Sequence, residues 1–358
     1  MSKKITKSYI DLGRGRLKLP FFMPDATRGL VKSISAQEAL IAGTKAMVVN
    51  TLHLYLQPGL QKIEAAGGLH AFMNWPYYLL SDSGGFQVFS LIYGNSKLGK
   101  IYDDRVVFKS PIDGKEHDLT PEKSIQIQFS LGTDMMVVLD DCLPYNNSQR
   151  DLEKSVERTI DWAKRSKEEY LRQLKKRKIE IAKAPLLFAV VQGGEDIALR
   201  KHCFKELEKI GFDGFGFGGR PVNSQGKFLH KLLKETALVI GDKYLKFALG
   251  IGTISDIYKC RQMGWDMFDC VIPTREGRHG RLLIPAKNLR SPKIININNA
   301  KFATNFKKIN KDSKFKEVSE NSLAYLHHLF KIKEPLGARI ATLNNLEYYQ
   351  KFLRSRVK

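Results

Sequence analysis

The stretch GWDMFDCVIPTREGRHGR, residues 264–281, joins a short apolar run to a polar, basic segment. The apolar run, 267–273, is interrupted only by Asp269. A charge buried without a partner is costly, so a carboxylate inside an apolar strand needs a reason. The basic segment that follows supplies one, because its arginines would attract a polyanion. We therefore expect Asp269 to lie at the mouth of a site that binds a polyanionic ligand.

Seven more short apolar runs precede this one, and most of them end in Gly, Asp, Asn or Gln. They are FFMPDATRG (21–29), KAMVVNT (45–51), YYLLSDSGG (77–85), MMVVLDD (135–141), LLFAVVQGG (186–194), FDGFGFGG (212–219) and KFALGIG (246–252). Continuous rather than alternating hydrophobicity is typical of parallel strands buried on both faces. Helical patterns lie between most of the runs, with capping signals at Ser35 and Glu38 and at Thr120-Pro121. Eight strands alternating with helices predict an α/β fold of the (β/α)8 TIM barrel type.

Two segments fall outside this alternation. Between the third and fourth runs, an insertion at about 90–119 contains RVVFKSPIDGKEHDL, whose DG turn is typical of a hairpin. After the eighth run the chain becomes rich in lysine, and helical patterns return at 321–330 and from Pro335 to about 355. We predict a catalytic barrel of 1–282 with a hairpin insertion after strand 3, and a basic C-terminal helical extension of 283–358 packed on it. A doubly wound open sheet is the alternative, but no Gly-rich phosphate turn opens a first βα unit.

The composition favours a globular protein with a polyanionic partner. Hydrophobic residues make up 43% of the 358 residues, and the formal net charge is +22. This charge favours nucleic acid as the partner, although a generally lysine-rich composition would also produce it. Four scattered cysteines without a C-x-x-C pair argue against a disulfide framework or a cysteine-rich metal site. With no visible secretory signal or membrane-spanning run, we expect a cytoplasmic protein without a membrane partner.

Polar residues and glycines follow the predicted strands at the end of the barrel where such folds place their active sites. The positions are Asp82, Asp140, Asp141, Gln192-Gly193-Gly194, Gly218-Gly219, Gly250-Ile251-Gly252 and Asp269. Paired carboxylates in a barrel mouth suit substitution at a sugar carbon, where one attacks C1′ and the other moves protons. Each aspartate alone could instead be a capping residue, and the glycines could serve only tight turns.

Longer motifs carry a family resemblance across essentially the whole chain. They are VNTLHLYLQPG (49–59), GGLHAFMNW (67–75), SDSGGFQVFSL (81–91), VVQGG (190–194), GFDGFGFGG (211–219), LGIGT (249–253), DMFDCVIPTREGR (266–278) and AYLHHLF (324–330). In this order they strongly resemble the bacterial type of tRNA-guanine transglycosylase, also called queuine tRNA-ribosyltransferase. The resemblance implies a (β/α)8 pentosyltransferase that exchanges guanine at the tRNA wobble position for a 7-deazaguanine during queuosine modification.

The resemblance also implies roles for individual residues. Asp269 matches the nucleophile that bonds covalently to ribose, and Asp82 matches the general acid/base. The substrate-binding positions match Ser83, Gly84, Gly85, Phe86, Asp140, Gln192, Gly219 and Leu249, of which Phe86 and Leu249 enclose the faces of the base. The RNA-contacting loops match Gly250, Ile251, Gly252, Thr253, Asp256, Thr274, Arg275 and Arg278. The implied partners are tRNA, a 7-deazaguanine base and a second copy of the chain, in a homodimer formed through the AYLHHLF region.

The sequence departs from the family at its structural zinc site. The family binds zinc through C-x-C-x2-C before the AYLHHLF helix and through a later His. The corresponding positions hold Ser313, Phe315, Val318 and Asn344. None of these residues is a usual zinc ligand, so we predict that no structural zinc or other cofactor is bound. Packing of Phe315 and Val318 would compensate in part.

A second departure follows the sixth strand, where the family usually reads G-G-L-x-V-G-E. Here the segment 218–224 is GGRPVNS, so Arg220 replaces the Leu and Ser224 replaces the Glu. In the family that Glu helps to hold the cationic aminomethyl arm of the base preQ1. Loss of a negative charge and gain of a positive one would disfavour a cationic arm. We therefore predict an altered base preference, for queuine or preQ0 or with weak use of preQ1.

Two other functions remain open at the level of sequence. A DNA-directed relative that inserts 7-deazapurines would share the chemistry, but the short chain and the intact PTREGR segment favour tRNA. A non-catalytic tRNA-binding partner subunit would fit the loss of the zinc ligands. The retention of Asp82, Asp140, Gln192 and Asp269 argues against it.

Overall fold

A computed structural model describes residues 4–144, 147–286 and 288–355. Its strands are β1 Lys4–Ile5, β2 Tyr9–Asp11, β3 Leu17–Lys18, β4 Phe21–Pro24, β5 Ala46–Val49, β6 Tyr78–Ser81, β7 Gly99–Ile101, β8 Val106–Lys109, β9 Glu116–Leu119, β10 Met135–Val137, β11 Leu186–Val191, β12 Gly214–Phe217, β13 Leu245–Ala248, β14 Met267–Cys270, β15 Arg281–Ile284 and β16 Lys293–Asn296.

The α-helices alternate with the longer of these strands. They are α1 Ala36–Ile41, α2 Thr51–Leu56, α3 Leu60–Ala65, α4 Leu69–Met73, α5 Gly85–Gly94, α6 Pro121–Leu131, α7 Gln149–Lys176, α8 Ile197–Ile210, α9 His230–Ile240, α10 Ile254–Gln262, α11 Ile272–Arg278, α12 Lys316–Ser319, α13 Leu323–Lys331 and α14 Pro335–Arg354. The predicted caps are present, because the Ser35 and Thr120 side chains accept hydrogen bonds at the starts of α1 and α6. Within the described ranges, no helix is long and apolar enough to cross a membrane.

Eight parallel strands form the predicted barrel. Their order is β4-β14-β13-β12-β11-β10-β6-β5, and each corresponds to one of the eight apolar runs. The outer pair, β4 and β5, meets through a parallel bridge between Asp25 and Val48. There the Ala26 N–H donates to the Val48 carbonyl at 2.7 Å. The sheet is thus closed on itself, and the (β/α)8 prediction is confirmed.

Alternate residues of the barrel strands point into a separate interior core. This core includes Met23, Val48, Leu80, Val190, Phe247 and Met267, all nearly inaccessible to solvent. The small sheet β1–β3 adds Ile10, Leu17 and Leu19 to the same core and closes the N-terminal end of the barrel. Because side chains alternate along a strand, the next inward positions after these residues face the C-terminal mouth.

The insertion after strand 3 is larger than the predicted hairpin. Strands β8 and β9 pair antiparallel, as the DG turn predicted, with Val106 opposite Leu119. A third strand, β7, pairs with β8 and extends the hairpin to a three-stranded sheet. The Trp162 indole N–H of α7 donates to the Asp103 carbonyl at 2.7 Å, so the insertion is attached to the helical layer.

The C-terminal segment packs on the barrel beside the last strand. The predicted boundary between 282 and 283 falls within β15, and the two predicted helices are present as α13 and α14. A Cβ on Gly277 of α11 would lie 2.9 Å from the Thr342 backbone, so α11 and α14 are in close contact. The Asn345 amide donates to the Pro273 and Arg281 carbonyls at 3.1 and 2.8 Å. Helix α14 therefore holds the segment that directly follows Asp269.

Candidate active site at the mouth of the barrel

A cavity of about 780 Å³ opens at the carboxyl ends of the barrel strands. Most of the residues predicted for the site line it: Asp82, Ser83, Phe86, Asp140, Gly219, Leu249, Gly250, Ile251, Gly252, Thr253, Asp256, Asp269 and Arg275. Gly84, Gly85, Gln192, Thr274 and Arg278 do not line this cavity. The volume is large enough for a nucleobase together with part of its sugar.

Asp269 lies at the end of β14 and projects into the cavity. Its Oδ1 accepts a hydrogen bond of 2.8 Å from the Gly250 N–H. Burial raises the pKa of Asp269 to about 7, and the charges of Asp25 and Asp82 add to this increase. The hydrogen bond from Gly250 acts in the opposite direction and lowers the pKa. Gly250 has a φ of +69°, which lets the backbone turn its N–H toward the carboxylate. Asp269 accepts few hydrogen bonds and has a raised pKa, so its carboxylate oxygens remain available to attack an electrophile.

Asp82 follows β6 and is held much more firmly. Its oxygens accept hydrogen bonds from the Asn50 amide at 2.7 Å, the Thr51 N–H at 3.2 Å, the Gly84 N–H at 3.1 Å and the Gln87 amide at 3.3 Å. Burial raises the pKa of Asp82 to about 6, although the hydrogen bonds from Thr51, Asn50 and Gly84 lower it. A fixed carboxyl group that titrates near neutrality can both accept and donate a proton.

Asp140 and Gln192 form a hydrogen-bonded pair at one side of the cavity. The Gln192 amide donates to Asp140 Oδ2 at 2.6 Å. Burial raises the pKa of Asp140 to about 7, the Gln192 bond lowers it, and the charge of Asp141 adds to the increase. Asp141 itself is buried elsewhere, paired with Arg158 at 2.5 Å, so its role is structural. Asp140 could present its carboxyl group to the edge of a planar ligand, held in place by Gln192 from outside the cavity lining.

A buried arginine that the sequence reasoning missed fixes this side of the cavity. Arg200 is 1% exposed and donates to the carbonyls of Gly194, Val191 and Gly218 at 2.8, 2.9 and 2.9 Å. Its guanidinium carbon lies 4.2 Å from the centroid of the Phe217 ring. Burial lowers the pKa of Arg200 to about 10, although the charge of Glu195 opposes this change. Arg200 therefore joins the ends of β11 and β12 beneath Gln192.

The faces of the cavity are apolar. Phe86 is 51% exposed at the start of α5, and Leu249 follows β13. Gly84, with a φ of +80°, caps α5, and a Cβ on Gly85 would lie 2.6 Å from Leu139. The guanidinium carbon of Arg220 lies 6.0 Å from the Phe86 ring centroid, so a positive charge stands at this rim. Ser224 lies outside the cavity, in an exposed turn.

The segment 250–256 forms the rim on the side of β13. The buried Ile251 anchors it, and the Thr253 hydroxyl caps α10 by accepting from the Asp256 N–H at 3.1 Å. The Thr253 hydroxyl also donates to the Asp256 carboxylate at 2.6 Å. A side chain at Gly252 would collide with Cys270. This rim is therefore rigid and close to the end of β14.

The basic segment after Asp269 is a helix, α11, and not the predicted loop. Thr274 faces inward: it is 1% exposed, and its hydroxyl donates to the Val271 carbonyl at 3.1 Å. Arg275 is exposed and lines the cavity. Arg278 lies deeper, and its Nη1 is buried without a hydrogen-bond partner among the described residues. Burial lowers the pKa of Arg278, while the charge of Asp25 opposes that change.

The comparison with known families shows the family of the chain. A family model described as Queuine tRNA-ribosyltransferase matches residues 6–356. The chain belongs to this family. Membership confirms the pentosyltransferase class expected from the sequence motifs.

Curated queuine tRNA-ribosyltransferases from several bacteria are similar over nearly the whole chain. The protein of Aliivibrio fischeri strain MJ11 is 37% identical over 349 residues, which cover 98% of this chain and 88% of the relative. The protein of Idiomarina loihiensis is 39% identical over 340 residues, which cover 95% of this chain and 86% of the relative. The protein of Buchnera aphidicola subsp. Schizaphis graminum is 39% identical over 334 residues, which cover 93% of this chain and 86% of the relative.

The zinc positions of this queuine tRNA-ribosyltransferase family member do not fit a metal ion. Ser313 donates to Glu347 Oε2 at 2.6 Å, and the Lys314 N–H donates to Glu347 Oε1 at 3.1 Å. Phe315 and Val318 are buried in the core, and the Asn344 amide donates to the Leu283 carbonyl at 3.0 Å. In the described ranges, no three His, Cys, Asp or Glu side chains are grouped as metal ligands. Glu347, itself 1% exposed, connects the segment to α14 in place of a metal.

Among the further polar residues that line the cavity, Asp25 and Asn50 lie at strand ends. Asp25 follows β4 and Asn50 follows β5, so the mouth is polar at the first two strands as well. Both are polar residues directly after an apolar run, the same pattern that predicts Asp82 and Asp140 as site residues.

Proposed function

We propose that this protein exchanges guanine at the anticodon wobble position of tRNA for a 7-deazaguanine through a covalent Asp269–ribose intermediate. The observation that carries the proposal is the contrast between two carboxylates in one cavity. Asp269 accepts a single hydrogen bond from Gly250, whereas Asp82 accepts four. The first is thus suited to attack, and the second to transfer protons from a fixed position.

The chemistry takes place in two balanced displacements. A carboxylate oxygen of Asp269 bonds to ribose C1′ as the C1′–N9 bond breaks, and Asp82 gives its proton to the departing guanine. After guanine leaves, Asp82 takes the N9 proton of the incoming base. That base then attacks C1′, the Asp269–C1′ bond breaks, and the carboxylate is regenerated. Two displacements at one carbon retain its configuration.

Recognition of the base is assigned to the polar and apolar walls of the cavity. Asp140 would pair with the edge of a purine, with the Gly219 backbone beside it. Gln192, which does not line the cavity, donates to Asp140 Oδ2 at 2.6 Å and would orient that carboxylate. Phe86 and Leu249 would cover its faces. A base in this position has left the anticodon stack, and enzymes that act on bases commonly require this.

The basic groups around the cavity support an RNA substrate. The net charge of +22 favours binding to phosphates. The unpaired, buried Nη1 of Arg278 is costly in the free protein, so an external acceptor would satisfy it. An RNA phosphate oxygen has the charge and geometry for a guanidinium donor. Arg275 would supply a second contact at the rim.

The natural base is proposed to carry a neutral arm at position 7. Arg220 stands at the rim beside Phe86, where its charge opposes a cationic aminomethyl group. Ser224 lies in an exposed turn, so the missing carboxylate matters less than the added arginine. We therefore favour preQ0, whose nitrile is neutral, over preQ1 and queuine, whose arms both carry a cationic amine.

A homodimer is also proposed, through α13 and the segment before it. Tyr325 is 41% exposed and Phe306 is 77% exposed. The residues that precede them in the chain are hydrogen-bonded to each other, since the Ala324 N–H donates to the Asn305 carbonyl at 2.8 Å. Tyr325 and Phe306 therefore lie close together. Two exposed aromatic side chains on one surface are typical of a protein interface.

Incubation with labelled guanine and either tRNA or duplex DNA tests the proposed activity. We expect incorporation into tRNA by the wild-type protein and none by Asp269→Asn. Incorporation into DNA alone would support the DNA-directed alternative. Tight tRNA binding without any incorporation would support the non-catalytic partner subunit.

A further inference from the structure

Asp25 is a third carboxylate at the catalytic end of the barrel, next to the proposed nucleophile. Strand β4 pairs with β14, and Asp269 is opposite Met23. Met23 points into the barrel core, so Asp25, two residues later, faces the mouth above it. Strand spacing and rise place the Cα atoms of Asp25 and Asp269 about 8 Å apart. Asp25 lines the same cavity as Asp269.

One carboxylate oxygen of Asp25 is occupied and the other is not. Oδ1 accepts hydrogen bonds from the Thr27 N–H, at 2.9 Å, and from the Thr27 hydroxyl. Among the residues that the structure describes, no group donates to Oδ2 and no cation lies within ion-pair distance. The bonds to Thr27 fix the side-chain rotamer, so Oδ2 is a pre-positioned acceptor.

Capping of the Thr27 turn does not by itself explain a carboxylate here. Asparagine would provide the same Oδ1 acceptor without a charge. The charge of Asp25 is unfavourable to the two nearby carboxylates, because it adds to the burial effect that raises the pKa values of Asp82 and Asp269, although it favours the charged form of Arg278. A second acceptor beside a sugar-binding carboxylate suits a hydroxyl donor of that sugar.

We propose that Asp25 is a specificity-determining residue that accepts a hydrogen bond from the ribose 2′-hydroxyl of the nucleotide attacked by Asp269. This inference rests on the proposed function, since that reaction brings C1′ to Asp269 and hence C2′ to within one bond of it. A sugar whose C1′ lies at the end of β14 would have its 2′ side toward one of the neighbouring strands, β4 or β13. On the β13 side the carboxylate of Asp256 already accepts a hydrogen bond from the Thr253 hydroxyl, whereas on the β4 side Oδ2 of Asp25 is available. The contact would let the enzyme distinguish RNA from DNA at the reacting nucleotide.

The test uses two RNA anticodon stem-loops that differ only in a 2′-hydroxyl or 2′-hydrogen at the exchanged guanosine. The kcat/KM for labelled guanine incorporation is measured with the wild type, Asp25→Asn and Asp25→Ala. Asparagine keeps the acceptor for Thr27 and replaces Oδ2 by a donor, so it is the matched variant. For each protein, kcat/KM of the ribo stem-loop is divided by that of the deoxy stem-loop. Comparing this quotient between variant and wild type cancels the different intrinsic reactivity of the two glycosidic bonds.

We expect the ribo-to-deoxy preference to fall at least tenfold in Asp25→Asn, through a slower reaction of the ribo substrate alone. A tenfold change corresponds to about 1.4 kcal/mol, within the range of a hydrogen bond to a charged group. Equal slowing of both substrates would show a structural role and overturn the inference. An unchanged ratio would overturn it as well.

A failure of the proposed exchange reaction can be distinguished from a failure of the inference about Asp25. If the wild type incorporates guanine into neither stem-loop, that reaction is absent, whatever the role of Asp25. The dissociation constants of the same two stem-loops are then compared by fluorescence anisotropy. A ribo preference that Asp25→Asn removes supports the contact, and one that it leaves unchanged contradicts it.

Discussion

At the scale of single residues, the site depends on carboxylates whose pKa values lie far above those of exposed aspartates. Their positions at strand ends expose one side to the cavity while the barrel excludes water from the rest. The raised pKa values are a cost to the fold, and residues with such values are concentrated at functional sites. Asp141, one residue from Asp140, is different: burial raises its pKa as well, but its carboxylate is paired with Arg158 and does not line the cavity.

The pH dependence of exchange should reflect the ionisation of both Asp269 and Asp82. Asp269 attacks only as the carboxylate, with a pKa of about 7, and Asp82 gives a proton only when protonated, with a pKa of about 6. The value of kcat/KM should therefore pass through a maximum near about pH 6.5. Below about pH 6 and above about pH 7 the loss should approach tenfold per pH unit. Initial rates of guanine incorporation between pH 5.5 and 8.5 test this, with circular dichroism to verify folding. A profile that is flat over this range, or that keeps rising to pH 8.5, would contradict the assignment.

Arg220 should determine the preference for the entering base. Arg220→Leu removes the positive charge at the rim, so we expect kcat/KM for preQ1 relative to preQ0 to increase about tenfold, or about 1.4 kcal/mol. Arg220→Lys keeps the charge and is the matched control, with little expected change. A clear preQ1 preference in the wild type would refute the electrostatic argument.

At the scale of elements, buried polar contacts join α14 to the segment that contains Ser313 and Lys314. Glu347→Ala would leave the Ser313 hydroxyl and the Lys314 N–H without their acceptor. We expect a loss of about 2–3 kcal/mol in the free energy of unfolding, as for other hydrogen bonds to buried charges. Chemical denaturation measures it, and Glu64→Ala on the exposed face of α3 is the control.

A chelator gives the complementary result for the same element. EDTA should leave the melting temperature of the wild type unchanged, because no ligand set for zinc is present at these positions. One equivalent of bound zinc per chain, or a large loss of stability in EDTA, would contradict this prediction.

Elements also differ in how well the sequence predicts them. The barrel strands were predictable because burial on both faces produces continuous apolar runs. Helix α11 was not, since it contains Pro273 near its start and Gly277 within it. Its stability comes from close packing of Gly277 on Thr342, a contact between residues far apart in the chain. Strand β7 spans three residues, too few for a periodic pattern.

The candidate site was predicted less completely than the strands. The aspartates were found because a charge after an apolar run is conspicuous. Arg200 was not, because its partners are backbone carbonyls of three separate segments, and no acidic residue in the sequence indicates them. The orphaned nitrogen of Arg278 likewise depends on how α11 packs and has no signal in the sequence.

At the scale of the whole molecule, the exposed aromatic residues near α13 should mediate self-association. We expect the wild type to be dimeric and the double variant Phe306→Ser, Tyr325→Ala to be monomeric, as measured by light scattering after size-exclusion chromatography. Leu238→Ser is the control, because Leu238 is 71% exposed on α9, away from this surface. A monomeric wild type, or a double variant that remains dimeric, would contradict the interface.

The proposed reaction requires one covalent bond, between Asp269 and the ribose of tRNA. The direct measurement is to mix protein and tRNA, quench in denaturant, and look for a protein–RNA adduct by denaturing electrophoresis and intact mass. We expect the adduct with the wild type and with the surface control Asp161→Asn, whose side chain is 58% exposed. Asp269→Asn should bind tRNA without forming it. An adduct that persists in Asp269→Asn, or its absence from a wild type active in exchange, would contradict the central claim.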